Sequence, residues 1–208
     1  MGDGIANDLP TLVAPATTAI VCMEMQRGVS GDLGGTMPAA RAVTEQDMVP
    51  RLARLLTSAR ANGMLVVHCV AAFRPDRRGS YANMPSVNTA WTNPDYLAVG
   101  SPAVEVMTEL YDATDVVSQR LHGISPFTST SVDPALRSAG IRTVIAVGVS
   151  LNRGIIGVTI EAVNRGYRVV IPRDCVVGYP ASYGDLVLEH TLAAIAWITD
   201  SEAVMAAW

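Results

Sequence analysis

Lysine is absent from this chain of 208 residues; all fifteen basic side chains are arginine. Charge is sparse, at 16% of residues with a net of −4, and no basic block occurs. Nucleic acid and anionic membrane surfaces are therefore excluded as expected partners. No apolar run approaches the roughly 20 residues of a membrane span. Met1 to Pro15 lacks a basic stretch followed by an apolar one, so it reads as a short polar arm and not a secretory signal. The three cysteines, Cys22, Cys69 and Cys175, lie in or beside apolar runs. An odd count in such places implies reduced core thiols and a cytoplasmic protein. No Cys-x-x-Cys spacing occurs and His68, His122 and His190 are scattered, so no metal site is expected. No Walker or Rossmann phosphate loop is found either, and no cofactor is expected.

What is present is apolar material. Half of the residues are hydrophobic, enough for a core on both faces of a sheet. The pattern alternates strand and helix. Ala19 to Met23 is the first buried strand. Thr44 caps a helix carrying Leu52, Leu55, Leu56 and Ala59, which Gly63 ends. Met64 to Ala72 is the second strand. Further strands are expected at Asp115 to His122, Arg142 to Ser150 and Tyr167 to Ile171. Helices are expected at Pro102 to Tyr111, near Ser131 to Gly140, at Gly154 to Asn164 and at Ser182 to Thr199, with a last short strand in Ser201 to Trp208. Such alternation implies one α/β domain with a mainly parallel, six-stranded sheet between two helical layers. Two segments stand outside it. Val29 to Ala42 reads as a loop over the crevice. Residues 73–101, with four aromatics, read as an ordered excursion lining a pocket or an oligomer contact. That excursion and the low charge point to a homo-oligomer, a dimer or larger.

Parallel sheets place ligands at the carboxyl ends of their strands. Glu24, Arg120, His122, the turn Ser150 to Gly154 and Asp174 collect there. Glu24 is the acid that directly follows a fully apolar run. A buried carboxyl is driven towards its neutral form, which suits a general acid, and a neighbouring arginine has the opposite effect. The bland readings are an N-cap or structural ion pair for Glu24, a turn residue for His122 and a cap for Asp174. Residues 148–155 (GVSLNRGI) open a helix, whose backbone N–H groups suit an anion or an oxyanion.

Three blocks carry a family resemblance. AIVCMEMQRG resembles the apolar strand ending in Asp-x-Gln of the isochorismatase-like hydrolases, the cysteine hydrolase superfamily. SPFTSTSVDPALRSAGIRTVIAVGVSLN and IEAVNRGYRVVIPRDCVVG resemble two further blocks of that family, in the same order. The resemblance covers most of residues 19–178 except the excursion, and it implies a three-layer α/β/α fold. The family's Asp-Lys-Cys triad falls on Glu24, on Arg120 or Leu121, and on Gly154. Parity with His122 favours Arg120. With glycine at 154 the usual covalent acyl-enzyme is not available there. Isochorismatases proper also carry glycine at that position and act by proton donation from the first-strand acid to a vinyl ether.

The resemblance thus implies a hydrolase of a small anionic or carbonyl-containing molecule without a nucleophilic cysteine. Glu24 would be its general acid or base, and Arg120 would anchor a substrate carboxylate or stabilise charge. Gly154 would take the cysteine's place. Gln26, His122, Ser150, Leu151, Asn152 and Phe127 are the substrate-binding candidates, with Asn152 bracing the turn. A non-proline cis peptide near Val149-Ser150 is also implied. Amide or imide hydrolysis by activated water is the alternative within enzymes. A non-catalytic binding or assembly protein on the same fold is the alternative outside them.

Overall fold

Thr18–Met23 (β1) is buried along its whole length because its alternate residues feed two different cores. Ile20 and Cys22 face one, and Ala19, Val21 and Met23 face the other. This is the signature of a central strand in a parallel sheet. The computed structural model describes residues 8–208. The other strands are Leu65–Ala71 (β2), Val116–Arg120 (β3), Thr143–Val149 (β4), Arg168–Pro172 (β5), Val176–Val177 (β6) and Trp197–Thr199 (β7). Six of them run in the order β3-β2-β1-β4-β5-β7, and the two-residue β6 pairs with β4. Every pairing between these strands is parallel.

The helices are Leu9–Leu12 (α1), Pro38–Glu45 (α2), Met48–Ala61 (α3), Asn88–Thr92 (α4), Val132–Ser138 (α5), Gly154–Asn164 (α6), Ala181–His190 (α7) and Ser201–Ala206 (α8). Side chains of α2, α3 and α8 pack on one face of the sheet. Those of α5, α6 and α7 pack on the other, which completes the three layers. Among the described residues no helix is long and apolar enough to cross a membrane. All three cysteines are free and buried.

Several sequence expectations are corrected. The sheet gains a seventh strand segment, β6. The strand sought in the tail lies earlier, at Trp197–Thr199, inside the stretch read as helix, and the tail is α8. Helix α7 stops at His190, a single 3-10 turn follows, and Trp197, Ile198 and Thr199 then pair with Val170, Ile171 and Pro172. Cross-strand pairing overrides the helical spacing of the apolar residues there. Pro102 to Tyr111 holds only one 3-10 turn, Pro102–Val104. Its backbone is drawn to residues 25–28 instead, with Met107 N–H donating to Met25 C=O at 3.1 Å and Gly28 N–H to Ala103 C=O at 2.8 Å. The helix expected from Thr44 is two helices, broken at Asp47, whose φ is 48°. Pro38 starts the first of them within the segment read as loop. Of the arm, residues 1–7 lie outside the described residues; the remainder packs, with Leu12 and Val13 buried and Trp208 Nε1 donating to Val13 C=O at 3.0 Å.

Residues 73–101 close back on themselves just after β2, through an isolated bridge between Phe73 and Ala98. Phe73 N–H donates to Leu97 C=O at 2.8 Å and Val99 N–H to Phe73 C=O at 2.9 Å. Phe73 stacks on Tyr96 with ring centroids 6.1 Å apart. The excursion thereby closes over the carboxyl end of β1 and β2.

Candidate active site

The chain leaves β1 through a backbone conformation that side chains seldom adopt. Glu24 has φ 51°, in the left-handed region, while its N–H still donates to Cys69 C=O of β2 at 2.8 Å. Holding a non-glycine residue there costs about 1–3 kcal/mol, a strain met mainly where a site requires it. Beside it, β4 approaches so closely that a Cβ on Gly148 (φ 101°) would stand 2.3 Å from Met23 C=O. Only glycine fits that crossing. The turn after β4 is thereby set over Met23 and Glu24. Its Val149-Ser150 peptide is cis, as the family resemblance implies.

A cavity of about 290 Å³ opens at this edge. Glu24, Arg120, Ser150 and Gly154 line it from the strand ends and the turn. Phe73, Met84, Ser86, Val87, Tyr96 and Leu97 line it from the excursion. Arg153 and Tyr179 also reach it. The volume lies near the lower end of small-molecule pockets, about 300–1,000 Å³.

Parallel register explains how Arg120 meets Glu24. Ala71 of β2 lies between them, paired with Arg120 of β3. A methyl side chain leaves the long arginine free to cross β2. Arg120 Nη2 donates to Glu24 Oε1, and its Nη1 donates to Gly123 C=O. The pair is largely enclosed, with the arginine side chain 7% exposed and the glutamate 20%. Among the described residues no donor reaches Glu24 Oε2, so the carboxylate keeps one uncommitted oxygen at the cavity wall. Leu121, the other position weighed for the family's lysine, lies against Gly79 of the excursion.

Gly154 starts α6 and is tightly enclosed. A Cβ added there would stand 2.7 Å from Val149 C=O and 3.0 Å from Met23 Cγ. Met23 thus fills the space beside the position where the family's cysteine would project. Burial pushes the Cys69 and Cys175 thiols up to about 12, and drives Cys22 upward as well. Ser150 lines the cavity beside Gly154.

The remaining sequence candidates divide sharply. Of the six assigned to substrate binding, Ser150 alone lines the cavity. Gln26 is buried and spends its amide on the backbone: Nε2 donates to Ala71 C=O at 2.9 Å and to Ala103 C=O at 3.1 Å, and Oε1 accepts from Ala71 N–H at 2.7 Å. Asn152 braces the turn, donating to Tyr179 C=O at 2.7 Å and accepting from Tyr179 N–H at 3.0 Å. Leu151 packs against Gly178 and Gly184. Phe127 is buried against Tyr167. His122 sets its ring edge-on to Tyr81, centroids 4.9 Å apart. Asp174 accepts from Ser201 N–H at 2.8 Å and caps α8 from outside the cavity. Sequence reasoning missed Arg153 and Tyr179, and named Tyr96 only as one of the excursion's four aromatics. Arg153 stood inside the turn already singled out, next to Gly154, and its charge was the available signal.

Comparison with known proteins agrees with this architecture. A maleamate amidohydrolase of Pseudomonas putida is 30% identical over 131 residues, which cover 62% of this chain but only 59% of that protein. The uncharacterized isochorismatase family protein YecD of Escherichia coli O157:H7 is 24% identical over 198 residues, 91% of this chain and 95% of its own. Among solved structures, a cysteine hydrolase from Pseudomonas syringae pv. phaseolicola superposes with a TM-score of 0.81 at 23% identity, covering 93% of this chain and 92% of that one. The isochorismatase domain model matches residues 18–203, nearly the whole chain, and the chain belongs to the isochorismatase family of hydrolases.

Proposed function

We propose that this protein hydrolyses a small molecule without a nucleophilic cysteine, with Glu24 as the general base that activates water. The observation that carries this reading is the half-committed carboxylate. Arg120 fixes one oxygen of Glu24, and the other stands uncommitted at the wall of a cavity with room for a substrate. A water held there would lose a proton to Glu24 as it attacks a carbonyl carbon. The Gly154 N–H begins α6 at the cavity wall and would stabilise the developing oxyanion. Collapse of the tetrahedral intermediate would then expel the leaving group with the proton returned from Glu24. The amidohydrolase relative supports an amide or a similar acyl bond as the target.

Vinyl-ether hydrolysis is supported by glycine at 154 and by an acid at 24. It requires Glu24 to carry a proton, which would deprive the enclosed Arg120 of its anion. The acyl reading therefore comes first. The non-catalytic reading rests on the same ion pair, taken as a purely structural one. An assembly role without a ligand would require the cavity to be filled by side chains, and the cavity is open.

A turnover screen of small amides, imides and enol ethers, run on the wild type and on Glu24→Gln, tests the proposal. Hydrolysis of an amide or imide that Glu24→Gln loses is the expected result. Ligand binding with no turnover above background would overturn it.

A further inference from the structure

The charges lining the cavity do not cancel. Glu24 is its one acidic lining residue, and Arg120 already holds it. Arg153 is a second lining cation, and among the described residues no carboxylate lies within ion-pair distance of it. Among the described residues its side chain makes one polar contact, a long one of 3.5 Å from Nη2 to Tyr179 Oη. The cavity thus carries one unbalanced positive charge in a protein whose net charge is −4. Most of the exposed arginines outside it reach an acid: Arg41, Arg54, Arg74, Arg78 and Arg137 all do.

Two hydroxyls accompany this cation. Tyr179 is tied in place through its backbone by Asn152. Tyr96 lines the same cavity from the excursion. Burial, and then the Glu24 charge, hold its phenol above the usual range, so Tyr96 stays a hydrogen-bond donor. A guanidinium with phenolic O–H groups beside it is suited to a carboxylate, which accepts from each.

We propose that the cavity has two ends, and that the substrate bears a carboxylate held by Arg153, Tyr96 and Tyr179 while its hydrolysable bond lies at Glu24. The part concerning the bond rests on the hydrolase reading; the anion-holding end does not. One unbalanced charge selects one negative charge, so a monocarboxylate fits better than a doubly charged phosphate. The apolar wall from Phe73, Val87 and Leu97 accommodates the short chain between the two groups. Arg120, the anchor expected from the sequence, is spent on Glu24 and on backbone carbonyls, and Arg153 takes over that role.

Succinamate and succinamide separate these ideas, because they differ only in one terminal carboxylate. Ligand-observed NMR on the intact protein reads binding and any hydrolysis in the same tube. Succinamate is expected to bind about tenfold tighter than succinamide. Arg153→Gln should erase that preference and leave succinamide binding unchanged, while Arg153→Lys should keep part of it. Arg153 is exposed, so neither variant should alter the unfolding midpoint. Equal binding of the two amides, binding of neither, or a preference that survives Arg153→Gln overturns the proposal. An Arg153-dependent preference without hydrolysis of any amide sustains the anion-holding end and counts against the hydrolase reading. Hydrolysis of succinamide as readily as succinamate does the reverse.

Discussion

Strand β3 ends in an ion pair on each side, and the two pairs do different work. At its amino end Asp115 has a side chain only 1% exposed. It accepts from Arg60 Nη2 at 2.7 Å and lies 3.0 Å from His68 Nε2. His68 sits in the middle of β2 on the face covered by α3, and no cavity lining residue belongs to this group. At the carboxyl end Arg120 holds Glu24, and there the carboxylate has a free oxygen and a cavity of about 290 Å³ in front of it. Both are acid–arginine pairs bridging distant segments. One has, among the described residues, no cavity in front of its carboxylate, and its contacts are those of a structural pair. The other lies where the crossovers of a parallel sheet leave a crevice, so its charges face open space. Burial alone does not mark a functional charge; a neighbouring space for a reactant does.

Each substitution below breaks one end and leaves the other, taken from the largest effect to the smallest. Glu24→Gln keeps an oxygen for Arg120 but removes the base. Turnover of a hydrolysed amide should fall about a thousandfold, roughly 4 kcal/mol of barrier, with the urea midpoint little changed. Asp115→Ala should do the opposite, costing about 3 kcal/mol of stability in urea unfolding because Arg60 and His68 lose their anion, while kcat of the folded protein holds. Gly154→Cys should cost about 1–3 kcal/mol, since a Cβ at 2.7 Å from Val149 C=O forces the backbone to move. It should not create a cysteine hydrolase, and iodoacetamide labelling together with an amide assay would check both points.

The pH response should separate the two ends as well. Burial raises the Asp115 carboxyl, but hydrogen bonds from His68 and Arg60 outweigh it, and the net shift is downward from 3.8. A lowered folded-state pKa gives stability that is present above the unfolded value and is lost as pH falls through the folded one. The stability gap between wild type and Asp115→Ala should therefore be full at neutral pH and shrink below about pH 4. Urea titrations at a series of acidic pH values would show it. Arg153→Gln is expected to move stability by less than about 0.5 kcal/mol, as for an exposed residue without an ion pair.

Much of the fold could be read from the chain because its causes are local. The run Ala19 to Met23 has no polar residue to spare for solvent, so it had to be a central strand, and Glu24 had to stand at its end. Gly154 opening a helix after an apolar strand was legible for the same reason. The errors fell where distant partners decide. Trp197 to Thr199 has the spacing of a helix face but finds an open edge on β5. Pro102 to Tyr111 reads as helix but is drawn to residues 25–28. Gln26, placed next to the site by sequence, turns its amide to backbone groups that no spacing rule foretells.

The sequence by itself determined a parallel α/β sheet, an acid at the end of its central strand, and a chain with neither lysine nor a cysteine at the helix start. Those properties follow from composition and from unbroken apolar runs set between helical segments. Tertiary structure alone decided which cation serves which anion. Glu24 and Arg120 lie 96 residues apart, and only the register of β3 on β2 brings them together across Ala71. Once that pair forms, Arg153 is left as the cavity's uncompensated charge. Its isolation is a property of every neighbour at once, and no stretch of sequence contains it.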